Sequence, residues 1–427
     1  MAIETVVKRA LAGRQSLLSQ RRADEVDLPL RLWRQQAHFT TPATGRPERA
    51  IAGLEPVVRL LERHRISLDE LAVRSGADKQ VLQSLLSELP CSPLVMVDAE
   101  DAVADTADAV VQAREGAIRC FREAEWGQAL RFFRPAGIEL PSCVEDIASV
   151  LGATQAPDQN RLLVDGIVWP KVESVDEMAW LCDLLSDLEN DLGVTANSIR
   201  LEFLVESATA LQQLDQIVAV ARPRLCGIIW GAADYAADVG LRHWTNDHPL
   251  FDWARGVIVN SAGAVGVPAI DAMTFNYPTP IYRGDDLDDR QRQANKESIL
   301  MALAEVYDDA VHGREMGMSG KWVGHPAQLL MVQAAYRQPS DQAYLQRALD
   351  SVASYEASVG QGHGATIIGE GGAAKMADRA TDRHLRTCLR RAAATGELAA
   401  EKALQAGLIN EPEFAELQAM PVTAFHS

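Results

Sequence analysis

The sequence predicts an α/β fold, a (β/α)8 barrel of the TIM type, and three observations carry that prediction. Short runs of Val, Ile and Leu alternate with longer stretches of helical period from about residue 38 to 330. The runs are continuously apolar, which is how parallel strands covered on both faces read. Eight such runs occur, matching a barrel that typically needs about 250 residues before insertions. A doubly wound sheet would show a glycine-rich turn after its first strand. Here that turn reads Pro42-Ala43-Thr44-Gly45-Arg46-Pro47, which is no dinucleotide fingerprint.

Taken in order, the expected strands are His38–Pro42, Leu94–Asp98, Leu130–Arg134, Leu163–Pro170, Arg200–Glu206, Cys226–Gly231, Gly256–Asn260 and Lys321–His325. Between them, Ala107–Glu123, Val175–Leu192, Ser207–Ala221 and Asp286–Val306 repeat apolar residues at the period of a helix. Residues 1–34 read as a helical N-terminal extension, 35–335 as the barrel, and 336–427 as a helical C-terminal region. About residues 54–90 form a helical insertion after the first strand, with a capping box at Ser67-Leu68-Asp69-Glu70. Leu71 to Leu86 around Gly76 has the outline of a helix-turn-helix, but an inserted helical hairpin fits so acidic a chain better. Past Pro339 six glycines fall between positions 360 and 372, marking a mobile or closely approached segment, read here as a lid.

Composition removes several function classes. The 427 residues carry a formal net charge of −18, which disfavours nucleic acid or anionic lipid as the main partner. No apolar run approaches the roughly 18 residues of a membrane span. Six scattered cysteines without a C-x-x-C pair read as reduced thiols of a cytosolic protein. No G-x-S-x-G elbow, Walker A loop or H-E-x-x-H motif occurs. Trp169, Trp230 and Trp322 read as core or mouth lining, and His325 as a structural histidine.

The chemistry is expected where the strands end, because the C-terminal ends of barrel strands line the active site. Asp98, Arg134, Lys171, Glu206 and Asp234 follow one another at intervals of 36, 37, 35 and 28 residues, in phase with a βα repeat of about 30 residues. Glu100 and Asp101 sit beside the first, and His325 follows the last strand. A lone charge is usually a solvated surface group; a set in phase points into one mouth. Glu206 and Asp234, on neighbouring strand ends, form a hard-oxygen pair suited to Mg2+ with its retained waters. Such a cation would act as a Lewis acid on a 2-oxo or 2-hydroxy carboxylate. Arg134 offers a fork of donors to a carboxylate or enolate.

These residues lie in motifs that resemble the citrate lyase β-subunit / malyl-CoA lyase branch of the HpcH/HpaI aldolase superfamily, within the pyruvate kinase-like, phosphoenolpyruvate-type barrels. Val97-Asp98-Ala99-Glu100-Asp101-Ala102-Val103 resembles D-L-E-D-[AS]-V, and Asp165-Gly166-Ile167-Val168-Trp169-Pro170-Lys171-Val172-Glu173 resembles D-G-I-x-x-P-K-x-E. Val205-Glu206-Ser207-Ala208 is similar to I-E-T-A, and Gly231-Ala232-Ala233-Asp234 to G-A-E-D. Ala269-Ile270-Asp271 matches A-I-D, and Gly320-Lys321-Trp322-Val323-Gly324-His325-Pro326 resembles G-K-x-x-I-H-P. Phe133-Arg134-Pro135-Ala136 departs from R-[VI]-N in its last residue, and Ala233 replaces a glutamate.

The resemblance implies a Mg2+-dependent carbon–carbon lyase, or the reverse Claisen-type condensation, on a β-hydroxyacyl-CoA such as a malyl, citramalyl or citryl thioester. Glu206 and Asp234 would be the metal ligands and Arg134 the clamp on enolate or carboxylate. Asp98, Glu100 and Asp101 would organise the metal's waters and the arginine, while Lys171 and Asp271 would contact substrate. The family's D-G-K-M motif supplies an acid/base carboxylate across a subunit interface. Here the region reads Glu370-Gly371-Gly372-Ala373-Ala374-Lys375-Met376-Ala377-Asp378, leaving Glu370 or Asp378 for that role. A homo-oligomer, trimer or hexamer, follows from the same resemblance. Two further readings stay open: a CoA-independent pyruvate-type aldolase, and a catalytically silent subunit.

Overall fold

Eight parallel strands close on themselves in chain order: β1 Ala37–Pro42, β2 Leu94–Asp98, β3 Leu130–Arg134, β4 Gly166–Trp169, β5 Arg200–Val205, β6 Leu225–Trp230, β7 Ala269–Asp271 and β8 Gly320–Val323. The last pairs with the first, His38 opposite Trp322. The computed structural model describes residues 2–23, 28–51, 53–88, 92–101, 103–104, 106–156, 161–284, 286–368 and 375–418.

Strand alternation sorts the side chains into two layers. Leu94 and Met96 of β2, Leu130 and Phe132 of β3, Val168, Leu204 and Ile270 fill the barrel interior. Val95, Val97, Phe133, Ile167, Phe203 and Ile228 face the surrounding helices. Asp98 and Arg134 continue the inward series by one more step of two, so they form its uppermost layer.

An exposed helix, α1 Ala2–Ala23, precedes the barrel, and the helical layer comprises α2 Glu55–Arg63, α3 Leu68–Ser75, α4 Lys79–Glu88, α5 Ala107–Glu123, α6 Ser142–Ala153, α7 Val175–Leu192, α8 Ala208–Ala221, α9 Ala232–Asp238, α10 Pro249–Val265, α11 Asp289–Glu315 and α12 Pro326–Ala335. Thr106, Ser174 and Ser207 cap α5, α7 and α8 with hydroxyls that accept an N–H of the first turn. The expected insertion is the three-helix unit α2–α4. Ser67 and Glu70 close their capping box, and Gly76 ends α3 in the left-handed conformation. The insertion packs on α11 and α12.

Two expectations change. Gly256–Asn260 is not a strand: its β-branched run lies inside α10, and the seventh strand is the three-residue Ala269–Asp271. The glycine-rich C-terminal segment is flanked by an antiparallel pair, β9 Ala365–Ile368 and β10 Lys375–Asp378, rather than forming one loop. That pair stands between α13 Pro339–Gly360 and α14 Arg379–Thr395, followed by α15 Ala400–Gln405 and α16 Glu411–Gln418. A separate apolar cluster joins α13–α16 to Leu30, just before β1. Arg34 locks the contact, donating to the Ala394 and Leu417 carbonyls. The C-terminal helices are thereby anchored at the N-terminal end of the barrel, opposite the mouth.

Cys120, Cys143, Cys182, Cys226 and Cys388 are free thiols. Among the described residues no helix is long and apolar enough to cross a membrane.

Candidate active site

At the C-terminal end of the barrel a cavity of about 450 Å3 opens over the strand ends. Asp98 and Arg134 face each other across the β2–β3 register. Arg134 Nε and Nη2 donate to the two Asp98 oxygens, each at 2.7 Å, and both side chains are almost fully buried. The guanidinium lies over the Trp322 ring, 5.3 Å from its centroid, a cation–π contact that fixes its plane. Burial opposes the charge on Arg134, but Asp98, Glu100 and Asp101 outweigh it and raise the pKa. The third nitrogen, Nη1, lies 3.1 Å from Glu100 Oε2, yet neither atom completes a hydrogen bond with any described residue. These two buried atoms are therefore held to each other by charge rather than by a formed hydrogen bond.

Lys171 ties this pair to the neighbouring strand end. Its ammonium donates to Glu100 Oε1 at 2.5 Å and Asp101 Oδ1 at 2.9 Å, and its backbone N–H donates to Glu206 Oε1 at 2.6 Å. To make both contacts the residue adopts φ +49°. That left-handed conformation is costly for a side chain with a Cβ, and such strain concentrates at functional sites. Burial lowers the ammonium pKa, and the two carboxylates raise it by more.

Glu206 follows β5 and immediately precedes the cap Ser207, so the cap sets the chain direction just past it. It is 4 % exposed. Gly231 makes its position possible: a Cβ there would fall 2.5 Å from Glu206 Cβ and 2.8 Å from Oε2. Burial first, and then the charge of Asp234, pushes the Glu206 carboxyl up to about 8. Asp234, exposed in the first turn of α9, lines the cavity. Glu206 and Asp234 together offer carboxylate oxygens, the donors that a hard divalent cation prefers. No group of three His, Cys, Asp or Glu suited to a metal exists among the described residues. A divalent ion would therefore take two ligands from the chain and the rest from water and substrate, the habit of Mg2+.

The structure brings Asp98, Glu100, Asp101, Arg134, Lys171, Glu206 and Asp234 to one end of the barrel. Asp271 does not join them. It faces outward from β7, fully buried, where it accepts from Arg255 Nε at 2.8 Å and Lys321 Nζ at 3.2 Å. The expectation of substrate contact is corrected on that ground: its neighbour Ile270 holds the inward position. Asp378 caps α14, accepting from the Ala380 and Thr381 N–H groups, and those bonds hold its carboxyl below the usual range. Glu370 lies outside the described residues. His325 caps α12 through Nδ1, as a structural histidine would.

Trp322 lines the mouth, whereas Trp169 and Trp230 are core residues that face the helices, Trp169 donating to Glu177 and Trp230 packing on Tyr235 and Phe251. Sequence reasoning missed Met273, Phe275 and Tyr277, which also line the cavity. The usable signal was two aromatics within a few residues after a strand end, and it was hidden by placing the seventh strand too early. A larger cavity of about 930 Å3 shares Met273 and Phe275 with the mouth and is ringed by Asp247, Glu305, Asp308 and Asp309. So many carboxylates disfavour anionic groups there.

A closed parallel barrel with carboxylates, an arginine and a lysine converging at its C-terminal end defines an enzyme-type site of the TIM class. Comparison with known proteins narrows this. An L-malyl-CoA/β-methylmalyl-CoA lyase of Cereibacter sphaeroides is 28% identical over 295 residues, 64% of this chain and 80% of the relative. A (3S)-malyl-CoA thioesterase of the same organism is 26% identical over 274 residues, 64% of this chain and 79% of the relative. The crystal structure of a citrate lyase from Burkholderia xenovorans is 19% identical, with a TM-score of 0.54 over 92% of this chain and 98% of that one, and shares the fold. The motifs and relatives make the protein similar to the citrate lyase β-subunit / malyl-CoA lyase branch of the HpcH/HpaI superfamily. The chain belongs to the family described as a domain of unknown function, DUF6986, whose model matches residues 153–421.

Proposed function

We propose that this protein is a Mg2+-dependent carbon–carbon lyase acting on a β-hydroxyacyl-CoA thioester of the malyl or citramalyl type. The observation that carries the reading is the joint placement of a buried, forked Arg134 and the Glu206–Asp234 pair at one barrel mouth. The malyl-CoA lyase relative supports the substrate class.

Glu206 and Asp234 would hold the cation, which when bound polarises the oxygens of the 2-oxoacid part. Asp98 holds Arg134 in plane, and Arg134 Nη1 offers a donor to the substrate carboxylate. Lys171 holds Glu100 and Asp101 beside the arginine, and its N–H orients Glu206. The hydroxyl proton of the substrate goes to a carboxylate from the C-terminal region of a neighbouring copy, Glu370 or Asp378. Ile367 and Met376, paired across the hairpin and largely exposed, suit such a contact between copies.

The test is incubation of malyl-CoA and citramalyl-CoA with the protein, with and without Mg2+. Acetyl-CoA plus glyoxylate or pyruvate, formed only with Mg2+, supports the lyase. The thioesterase relative favours one second reading, hydrolysis. Free CoA plus the intact hydroxyacid would establish that reading instead.

A further inference from the structure

Most polar groups at the mouth are already engaged. Asp98 is bound by Arg134, Asp101 by Lys171, and Thr40 Oγ1 accepts the Trp322 indole N–H. Tyr277, on the loop after β7, is a hydroxyl less firmly committed. It lines the same cavity with 41% of its surface exposed, and its hydroxyl has one hydrogen bond among the described residues, 3.1 Å to Met273 Sδ. A thioether is a weak acceptor, so the phenol keeps its donor capacity for something else.

Its position is enforced from the neighbouring strand. Gly324 follows β8, and a Cβ there would lie 2.4 Å from the Tyr277 hydroxyl oxygen and 2.8 Å from Met273 Sδ. Any side chain at 324 would evict the phenol. Burial also pushes the phenol's pKa above its ordinary value, so it remains a neutral O–H donor across the working range. The donor enters from the β7–β8 side of the mouth, while Glu206 and Asp234 belong to β5 and β6. Since Asp234 and Tyr277 line the same cavity, a ligand held by those carboxylates through a cation lies in the space that the phenol bounds.

We propose that Tyr277 is a catalytic residue whose hydroxyl donates a hydrogen bond to the thioester oxygen as that oxygen gains enolate charge during carbon–carbon cleavage. No proton is transferred by it and no bond to it forms. A neutral donor placed where charge develops lowers the barrier more than it tightens substrate binding. The inference rests on the lyase reading given above.

Tyr277→Phe keeps the ring and removes the donor. The expected result is a fall in kcat of about 10²-fold, the loss typical of one oxyanion donor, with KM, thermal midpoint and Mg2+ binding by calorimetry near wild type. Gly324→Ala, which leaves the hydroxyl on the chain but displaces it, should lower kcat in the same direction. A Tyr277→Phe enzyme with wild-type kcat overturns the inference while leaving the lyase reading intact. A change confined to KM overturns it too, since a packing role would act there. Absence of Mg2+-dependent cleavage in the wild type itself overturns the lyase reading, and the inference with it.

Discussion

Two buried ionic clusters sit on opposite faces of the same sheet, and they differ in how completely they are paired. On the outer face, Asp271 is held by Arg255 and Lys321, Lys321 also donates to the Ala272 carbonyl, and Arg255 spends its other nitrogens on Asn246 and Asp252. Burial opposes the charge of Asp271, but the two cations win and lower its pKa. At the mouth, Arg134 Nη1 and Glu100 Oε2 face each other at 3.1 Å without completing a hydrogen bond, Glu206 is held up near 8, and Lys171 takes a left-handed backbone. The outer cluster is closed on itself and serves the fold. The mouth cluster is less completely paired, and it is where the cation and anionic substrate of the proposed reaction would bind.

That contrast makes the effects of substitution separable. Asp271→Asn breaks a saturated buried cluster and leaves cations uncompensated, which should cost about 3–5 kcal/mol of stability. Urea denaturation would show the lower midpoint, while kcat/KM of the enzyme still folded should match wild type. A loss of kcat/KM without a loss of stability would return Asp271 to the site. Arg134→Lys replaces a fork by a point charge, and loss of a charged hydrogen bond of about 1.5–3 kcal/mol should lower kcat/KM by roughly 10–100-fold. Unchanged kcat/KM would remove Arg134 from the mechanism.

A further effect is expected from pH. With its pKa raised to about 8, Glu206 is largely protonated at pH 6 and must release a proton to bind a cation. Mg2+ affinity should therefore rise by up to about tenfold per pH unit toward pH 8 and level off above it, one unit being worth 1.36 kcal/mol. A flat profile between pH 6 and 9 would mean that Glu206 is ionised without a cation. The smallest effect concerns Asp378. Asn caps a helix as well as Asp, so Asp378→Asn should leave the thermal midpoint in place whatever the residue does in catalysis. Retained turnover leaves it a cap alone; lost turnover makes it the hairpin carboxylate.

Much of this was legible in the sequence, for physical reasons that also mark where reading fails. Strands such as Leu94–Asp98 and Leu130–Arg134 stand out because both faces are covered and apolar residues dominate them, Arg131 being the one charge before the functional residue. The same coverage hides the direction in which a side chain points. Asp98 and Asp271 both close a strand, yet one faces the mouth and the other the helices. Only the register of alternation separates them, and a three-residue strand gives too little of it. The short β7 also explains why Tyr277 escaped notice: with Gly256–Asn260 taken as the strand, the loop that follows Asp271 was not at the mouth.

The central claim is that Glu206 and Asp234 jointly hold one divalent ion at the barrel mouth. Calorimetric titration of Mg2+ into wild type, Glu206→Gln and Asp234→Asn at pH 8 tests it most directly. The account predicts one ion per chain in the wild type and no measurable binding in either variant, with both variants folded. Wild-type binding in both variants would place the metal elsewhere and contradict the account.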